Sequence, residues 1–220
     1  MTDYNKALAL QHRLVASRQK KLLNSDLVLL LEHPAVFTLG RRGGLSNLIV
    51  SPDYLKKKGI AIVPAERGGD ITFHDIGQLI AYPIVNLRAN RLSVTDYVSA
   101  LEEVMIGAAA KFSVTAVRRY LNRGVWVGTR KLGSIGIAIR HGITFHGMAL
   151  NVNLSLTPFD WIRPCGLHNV RITSLARELS QPVNMAYARE ILIKQFESVF
   201  KIRFQVMTLE SLPISKFKVP

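Results

Sequence analysis

The sequence predicts an α/β protein of the α+β type: a mixed, partly antiparallel β-sheet flanked by helices. Three observations point there. Between residues 124 and 154, apolar residues alternate with glycine or polar residues in closely spaced segments, as hairpin strands do. Helical spacing of apolar residues is confined to a few stretches, near 4–20, 93–112 and 184–200. The regular strand–helix alternation that a doubly wound parallel sheet needs is missing.

Taken in order, residues 4–20 read as a helix, with Ala7, Leu8, Leu10, Leu14 and Val15 at near-helical spacing. LVLLL, Leu27 to Leu31, has the length of one buried strand and ends at Glu32-His33-Pro34. Residues 37–39 form a second strand closed by GRRGG, and 60–64 a third. ERGGDITFHDIGQLIAYPIVNL is a glycine-rich turn leading into strand. Residues 93–112 are the clearest helix: Ser93 caps it, Asp96 sits three positions on, and Val94, Val98, Leu101, Met105, Ala108 and Phe112 make its apolar stripe. GVWVGTRKLGSIGIAI reads as strand, turn, strand, with Val125 and Val127 on one face and Ile135, Ile137 and Ile139 alternating with Gly136 and Ala138. In ITFHGMALNVNL, Leu150, Val152 and Leu154 alternate with asparagines. Two more helices follow, one after Thr173 and one from an Asn184 cap to about Phe200.

The 220 residues, 48% hydrophobic and 20% charged, suffice for one full core, so 1–220 reads as a single domain. A single cysteine excludes an internal disulfide and a multi-cysteine zinc site, and fits a reducing compartment. No apolar run approaches the ~18 residues of a membrane span, and the N-terminus reads as an ordinary first helix, not a leader. Twenty-nine basic against fifteen acidic residues give a net charge of +14, which calls for an acidic partner. A nucleic acid is the rival to an acidic protein, but few aromatics interleave with the basic runs and no recognised binding motif appears. The histidines lack the spacing of a metal site, so no metal is expected.

Four segments are richer in glycine, histidine and fixed charge than a plain core needs. RGGDITFH, Arg67 to His74, is either a hairpin turn or a loop whose backbone N–H groups face a ligand. GTRKLGSIG places Lys131 in or just after a turn, and it matches neither a phosphate loop nor a dinucleotide fingerprint. TFHGMALNV puts His146-Gly147 inside a strand, either as a β-bulge or as a strand lining a cavity. FDWIRPCGLHNV frames Cys165 with proline and glycine, where a purely structural cysteine more often lies in an apolar run.

Together these segments resemble the octanoyltransferases of lipoate biosynthesis. The matching stretches are HPAVFTLGRRG, RGGDITFHDIGQLIAYPIVNL, GVWVGTRKLGSIGIAI, TFHGMALNVN, and PCGL followed by ITSL, from about His33 to Leu175. Two departures stand out. Asp75-Ile76 occupies a place where the family often has Gly-Pro, and LHNVRITSL lacks a glycine common before TSL. A strand that precedes the first helix in relatives is not expected here. The resemblance implies the fold of the biotin and lipoate ligase catalytic domains. It makes Cys165 the acyl acceptor and Lys131 its partner. It also implies an acyl site lined by Arg67, Gly68, Gly69, Asp70, Ile71, Thr72, Phe73 and His74, by Ser134, Ile135 and Gly136, and by Gly147, Met148 and Ala149.

The implied reaction moves an octanoyl or lipoyl group from acyl carrier protein, an acidic donor, to a lysine of a lipoyl domain. Acceptors of that kind are the lipoyl domains of 2-oxoacid dehydrogenase complexes and the glycine cleavage H protein. No cofactor, nucleic acid or membrane is implied, and the expected location is the cytoplasm. The donor's acidic face would meet basic residues around Arg41, Arg42 and Lys56 to Lys58. His168 and His74 are rival bases to Lys131. The rival enzyme is an ATP-dependent lipoate or biotin ligase of the same fold, for which GRRGG is the one loosely similar nucleotide loop.

Overall fold

The computed structural model describes residues 1–119, 122–163 and 170–208. Cys165 and His168 lie outside them. The first helix, α1 (Tyr4–Gln19), is capped by Asp3, whose carboxylate accepts the Lys6 N–H. Strands β1 (Leu27–Leu31) and β2 (Val36–Leu39) follow, then α2 (Pro52–Lys57), β3 (Ala61–Pro64), β4 (Ile71–His74) and β5 (Gln78–Ile84). Helix α3 (Val94–Ala110) starts at Ser93, whose hydroxyl accepts the Asp96 N–H at 3.0 Å. Next come β6 (Val117–Arg118), β7 (Val125–Val127), β8 (Arg130–Arg140) and β9 (Ile143–Asn151). Strand β10 (Arg171–Ile172), α4 (Leu175–Leu179) and α5 (Met185–Phe200) complete the order, with Asn184 capping α5 as its sequence position predicts.

These strands make two sheets. The larger runs β1-β5-β9-β8-β7-β6, antiparallel throughout, and β10 pairs in parallel with β8. The smaller, β3-β2-β4, joins a parallel and an antiparallel pair. The expected mixed, partly antiparallel architecture is therefore present. The long β8–β9 hairpin turns at His141-Gly142, both with positive φ (52° and 80°), the geometry that a two-residue hairpin loop requires.

Each face of the large sheet has its own core. Leu79, Ala81, Leu132, Met148 and Leu150 pack with Leu101, Met105 and Ala108 of α3 and Leu192 of α5. On the opposite face, Ile84, Ala138 and Phe145 meet Leu14 and Val15 of α1, and Ala7 meets Ile80, Tyr82 and Ala149. The α3 stripe is wider than its sequence spacing suggests. Tyr97, Val104 and Ala109 are buried, Val94 is exposed, and Phe112 lies beyond the helix end, because α3 is covered by both the sheet and α5. Ile139, near the hairpin tip, is also exposed.

Candidate active site

The α1 side of the large sheet holds a cavity where the small sheet's Arg67–His74 segment comes down on β8 and β9. Its walls include Arg67, Gly69, Asp70, Ile71, Thr72 and His74 from that segment. Lys131, Ser134, Ile135 and Gly136 of β8 and Gly147, Met148 and Ala149 of β9 line it too. Two predicted residues stand outside. Gly68 pins the loop to β8, its N–H donating to the Ile137 carbonyl at 2.8 Å, and Phe73 packs in the adjoining core against Phe37 and Phe159. The glycines are needed for close approach. A Cβ at Gly136 would lie 2.9 Å from Arg67 Cδ, and one at Gly147 would lie 2.2 Å from the Ala81 carbonyl oxygen.

Lys131 reaches the cavity through an irregularity in β8. Val125 pairs with Gly133 but Trp126 pairs with Lys131, so Leu132 is an extra residue, a β-bulge. On one side of it, Gly133 faces α3, where a Cβ would meet Met105 Sδ. On the other, Lys131 turns to the cavity face with Ser134 and Gly136, while Leu132 joins the α3 core. The Lys131 side chain is 3% exposed; its Nζ donates to Asn122 Oδ1 at 3.2 Å and lies 5.3 Å from the centre of the Trp126 ring. Strand β10 takes the edge of β8 that β9 leaves open, with Arg171 beside Arg130 and Ile172 beside Lys131, and the Thr173 N–H donates to the Lys131 carbonyl.

Arg67 is a structural clamp as well as a wall. Its Nη2 donates to the Thr38 carbonyl at 2.7 Å, its Nε to Thr38 Oγ1 and its Nη1 to the Gly68 carbonyl. Asp70 is likewise held: its carboxylate accepts from Asn47 Nδ2 and from the Ile71 N–H, both at 2.6 Å. His74 is buried against Gln78 Oε1 at 2.7 Å; burial and the neighbouring His33 push its pKa down to about 3. A histidine so hard to protonate is a weak base at neutral pH.

Tyr4, Ile80 and Tyr82, which the sequence does not single out, also line the cavity, as does His146 of the strand expected to line one. Burial pushes the Tyr4 pKa up to about 12 and, with Arg67 nearby, the His146 pKa down to about 3. His146 has φ +53° inside a strand. The β5–β9 ladder stops at Ala81–Met148, where Pro83 lacks an N–H, and Gln11 Oε1 of α1 accepts the His146 N–H at 2.6 Å. Tyr4 and Tyr82 look like core aromatics in sequence; the proline after Tyr82 in an apolar run was the available signal of a broken ladder. A second cleft, walled by Thr157, Asp160, Arg171, Arg177 and the Arg130–Glu178 pair, is lined, among the described residues, by none of the predicted groups. Among the described residues no group of histidine, cysteine and carboxylate side chains is arranged to hold a metal.

The chain matches the lipoyl protein ligase A/B catalytic domain over residues 3–197. An octanoyltransferase of Desulfotalea psychrophila is 49% identical over 90% of both chains. One of Syntrophobacter fumaroxidans is 42% identical over 96% of this chain and 92% of its own. Among solved structures, a lipoate-protein ligase A bound with ATP superposes with a TM-score of 0.77 over 98% of this chain and 92% of that one, at 19% identity. A bi-partite lipoate protein ligase from Thermoplasma acidophilum gives 0.75 over 98% and 89%, also at 19% identity. The structural likeness carries the fold, and the sequence relatives carry the family: this chain belongs to the octanoyltransferases, an acyltransferase family within the lipoyl protein ligase A/B catalytic-domain group.

Proposed function

We propose that residues 1–220 act as one catalytic domain that takes an octanoyl group from acyl carrier protein onto Cys165 and passes it to a lysine of a lipoyl domain. The acceptors are the lipoyl domains of 2-oxoacid dehydrogenase complexes and the H protein, and the location is the cytoplasm. The observation that carries this reading is the convergence of three separate sequence segments on one cavity, with a buried Lys131 amine in its wall. The chain on both sides of Cys165 supports it. The Arg163 N–H donates to the Asn47 carbonyl at 2.8 Å, and β10, which begins at Arg171, pairs with Lys131 itself.

In the first step the Cys165 thiolate attacks the thioester carbonyl and the carrier's thiolate leaves, so one thioester replaces another without ATP. In the second, the acceptor lysine's neutral amine attacks the acyl-enzyme, an amide forms, and the Cys165 sulfur leaves as thiolate; the amine's proton is lost to a base. Lowering a thiol pKa from about 8.5 to about 7 takes roughly 2 kcal/mol of preference for the anion. One ammonium in a partly dry site can supply that. The alkyl chain would enter the cavity beside it, whose wall includes Gly136, Gly147 and Ala149.

Incubation with octanoyl-acyl carrier protein and intact-protein mass spectrometry tests the reading. One octanoyl mass on Cys165 is expected. No adduct on active enzyme, or transfer of free octanoate that requires ATP, would overturn it in favour of the ligase reading.

A further inference from the structure

The Lys131 amine is held by a segment that the reaction itself does not use. Asn122 places its side-chain oxygen 3.2 Å from Lys131 Nζ, while its backbone carbonyl accepts the Trp126 Nε1–H at 3.1 Å. Gly124, at φ +121°, passes so close that a Cβ there would lie 2.9 Å from Lys131 Cε and 2.4 Å from the Gly133 carbonyl oxygen. This strap is tied to α3 by one carboxylate. Glu102 is 0% exposed, and its Oε1 accepts the Gly124 N–H at 2.9 Å. Its Oε2 pairs with Arg123 Nη1 at 3.2 Å and Arg118 Nε at 3.4 Å. Outside the strap, Arg119 stacks on the far partner, its guanidinium 4.9 Å from the Trp126 ring centre, and donates to the Gly128 carbonyl.

A buried carboxylate in the apolar stripe of a helix is costly unless it is fully paired. Here its three partners all lie in or beside the segment that carries Asn122. An amide oxygen and an indole face both attract a cation and offer nothing comparable to a neutral amine. The strap therefore fixes where the Lys131 amine points.

We propose that Asn122, anchored through Glu102, is a positioning residue that holds the Lys131 amine towards the reacting sulfur. This rests on the Cys165–Lys131 reading above, so the test separates the two. The full-length chain and its Asn122→Ala, Glu102→Gln and Lys131→Ala variants are compared by the pH dependence of Cys165 alkylation with iodoacetamide. Single-turnover acylation by octanoyl-acyl carrier protein is measured in parallel. Asn122→Ala should raise the alkylation midpoint by about one pH unit and slow acylation on the order of tenfold, the worth of one hydrogen bond to a charged group. Its KM for the carrier should stay within error, and its thermal midpoint should fall by no more than a few degrees. Glu102→Gln keeps an oxygen for the Gly124 N–H and should preserve the alkylation midpoint even if the protein is less stable. If Lys131→Ala moves the midpoint and Asn122→Ala does not, the positioning role is refuted while the Cys165–Lys131 pair stands. If neither moves it, the pair itself is refuted.

Discussion

Two histidines in the cavity wall make stability fall on acidification well above the range where carboxylates titrate. His74 and His146 are 6% and 1% exposed, and burial holds both near a pKa of about 3 against 6.5 in the unfolded chain. The folded state stays unprotonated at these positions while the unfolded state takes up two protons. The contribution is therefore complete above pH 6.5 and is lost as pH falls from there towards 3. At pH 5 each histidine is almost fully protonated in the unfolded chain and neutral in the folded one, a loss of about 2 kcal/mol each, or about 4 kcal/mol for the pair. The figure requires only that both folded values lie below 5. Urea unfolding followed by tryptophan fluorescence between pH 7.5 and 5 should show that loss, and His74→Gln should remove about half of it. His33, also pushed down by burial, adds in the same direction. Stability that is flat over this range, or a slope unchanged in His74→Gln, would refute the neutral buried assignment.

Other substitutions probe the walls. Gly147→Ala drives a methyl onto the Ala81 carbonyl in the centre of the sheet, where no rotamer relieves it. A cost of about 1–3 kcal/mol should lower Tm by roughly 2–12 °C in thermal unfolding. Arg67→Lys replaces a fork bonded to Thr38 and Gly68 with a single ammonium that cannot reach both, so Tm should drop by a few degrees and octanoyl transfer should slow. Cys165→Ser should abolish transfer and the acyl adduct. Lys131→Ala should slow acylation about a hundredfold or more, with circular dichroism unchanged, since general acid–base groups contribute ~10²–10⁴.

Periodicity exposed the helices and the long hairpin because burial on one side forces a repeat of 3.6 or 2. Asn184 and Ser93 mark helix starts for a local reason: a side-chain oxygen satisfies an N–H three residues on. What periodicity cannot carry is pairing between distant segments. The parallel alignment of β2 with β3, the two-residue strands β6 and β10, and the meeting of Tyr4 with the Arg67–His74 loop depend on contacts far apart in sequence. Glu102 was visible in principle, one charged residue beside Leu101 inside an apolar stripe, but its three partners are on β6 and the strap after it. Phe73, grouped with the acyl site by the resemblance, sits in the adjoining core, since β4 alternates and sends Phe73 towards Phe37.

The bulge at Leu132 explains how one strand serves two incompatible surroundings. β8 must give α3 an apolar face through Leu132, Ile135 and Ile137, and give the cavity Ser134 and Gly136. With a strict repeat of two, Lys131 would fall on the same face as Gly133 and Ile135, and its ammonium would point at Met105. One inserted residue exchanges the faces at that point only, so the apolar pattern survives on one side of it and the amine reaches the cavity on the other. Leucine suits the insertion because its own side chain is buried in the α3 core, which holds the irregular backbone in place. The same apolar identity hides the bulge from any reading of alternation: GTRKLGSIG reads as a turn entering a strand, with Lys131 in or just after the turn and no sign of an inserted residue.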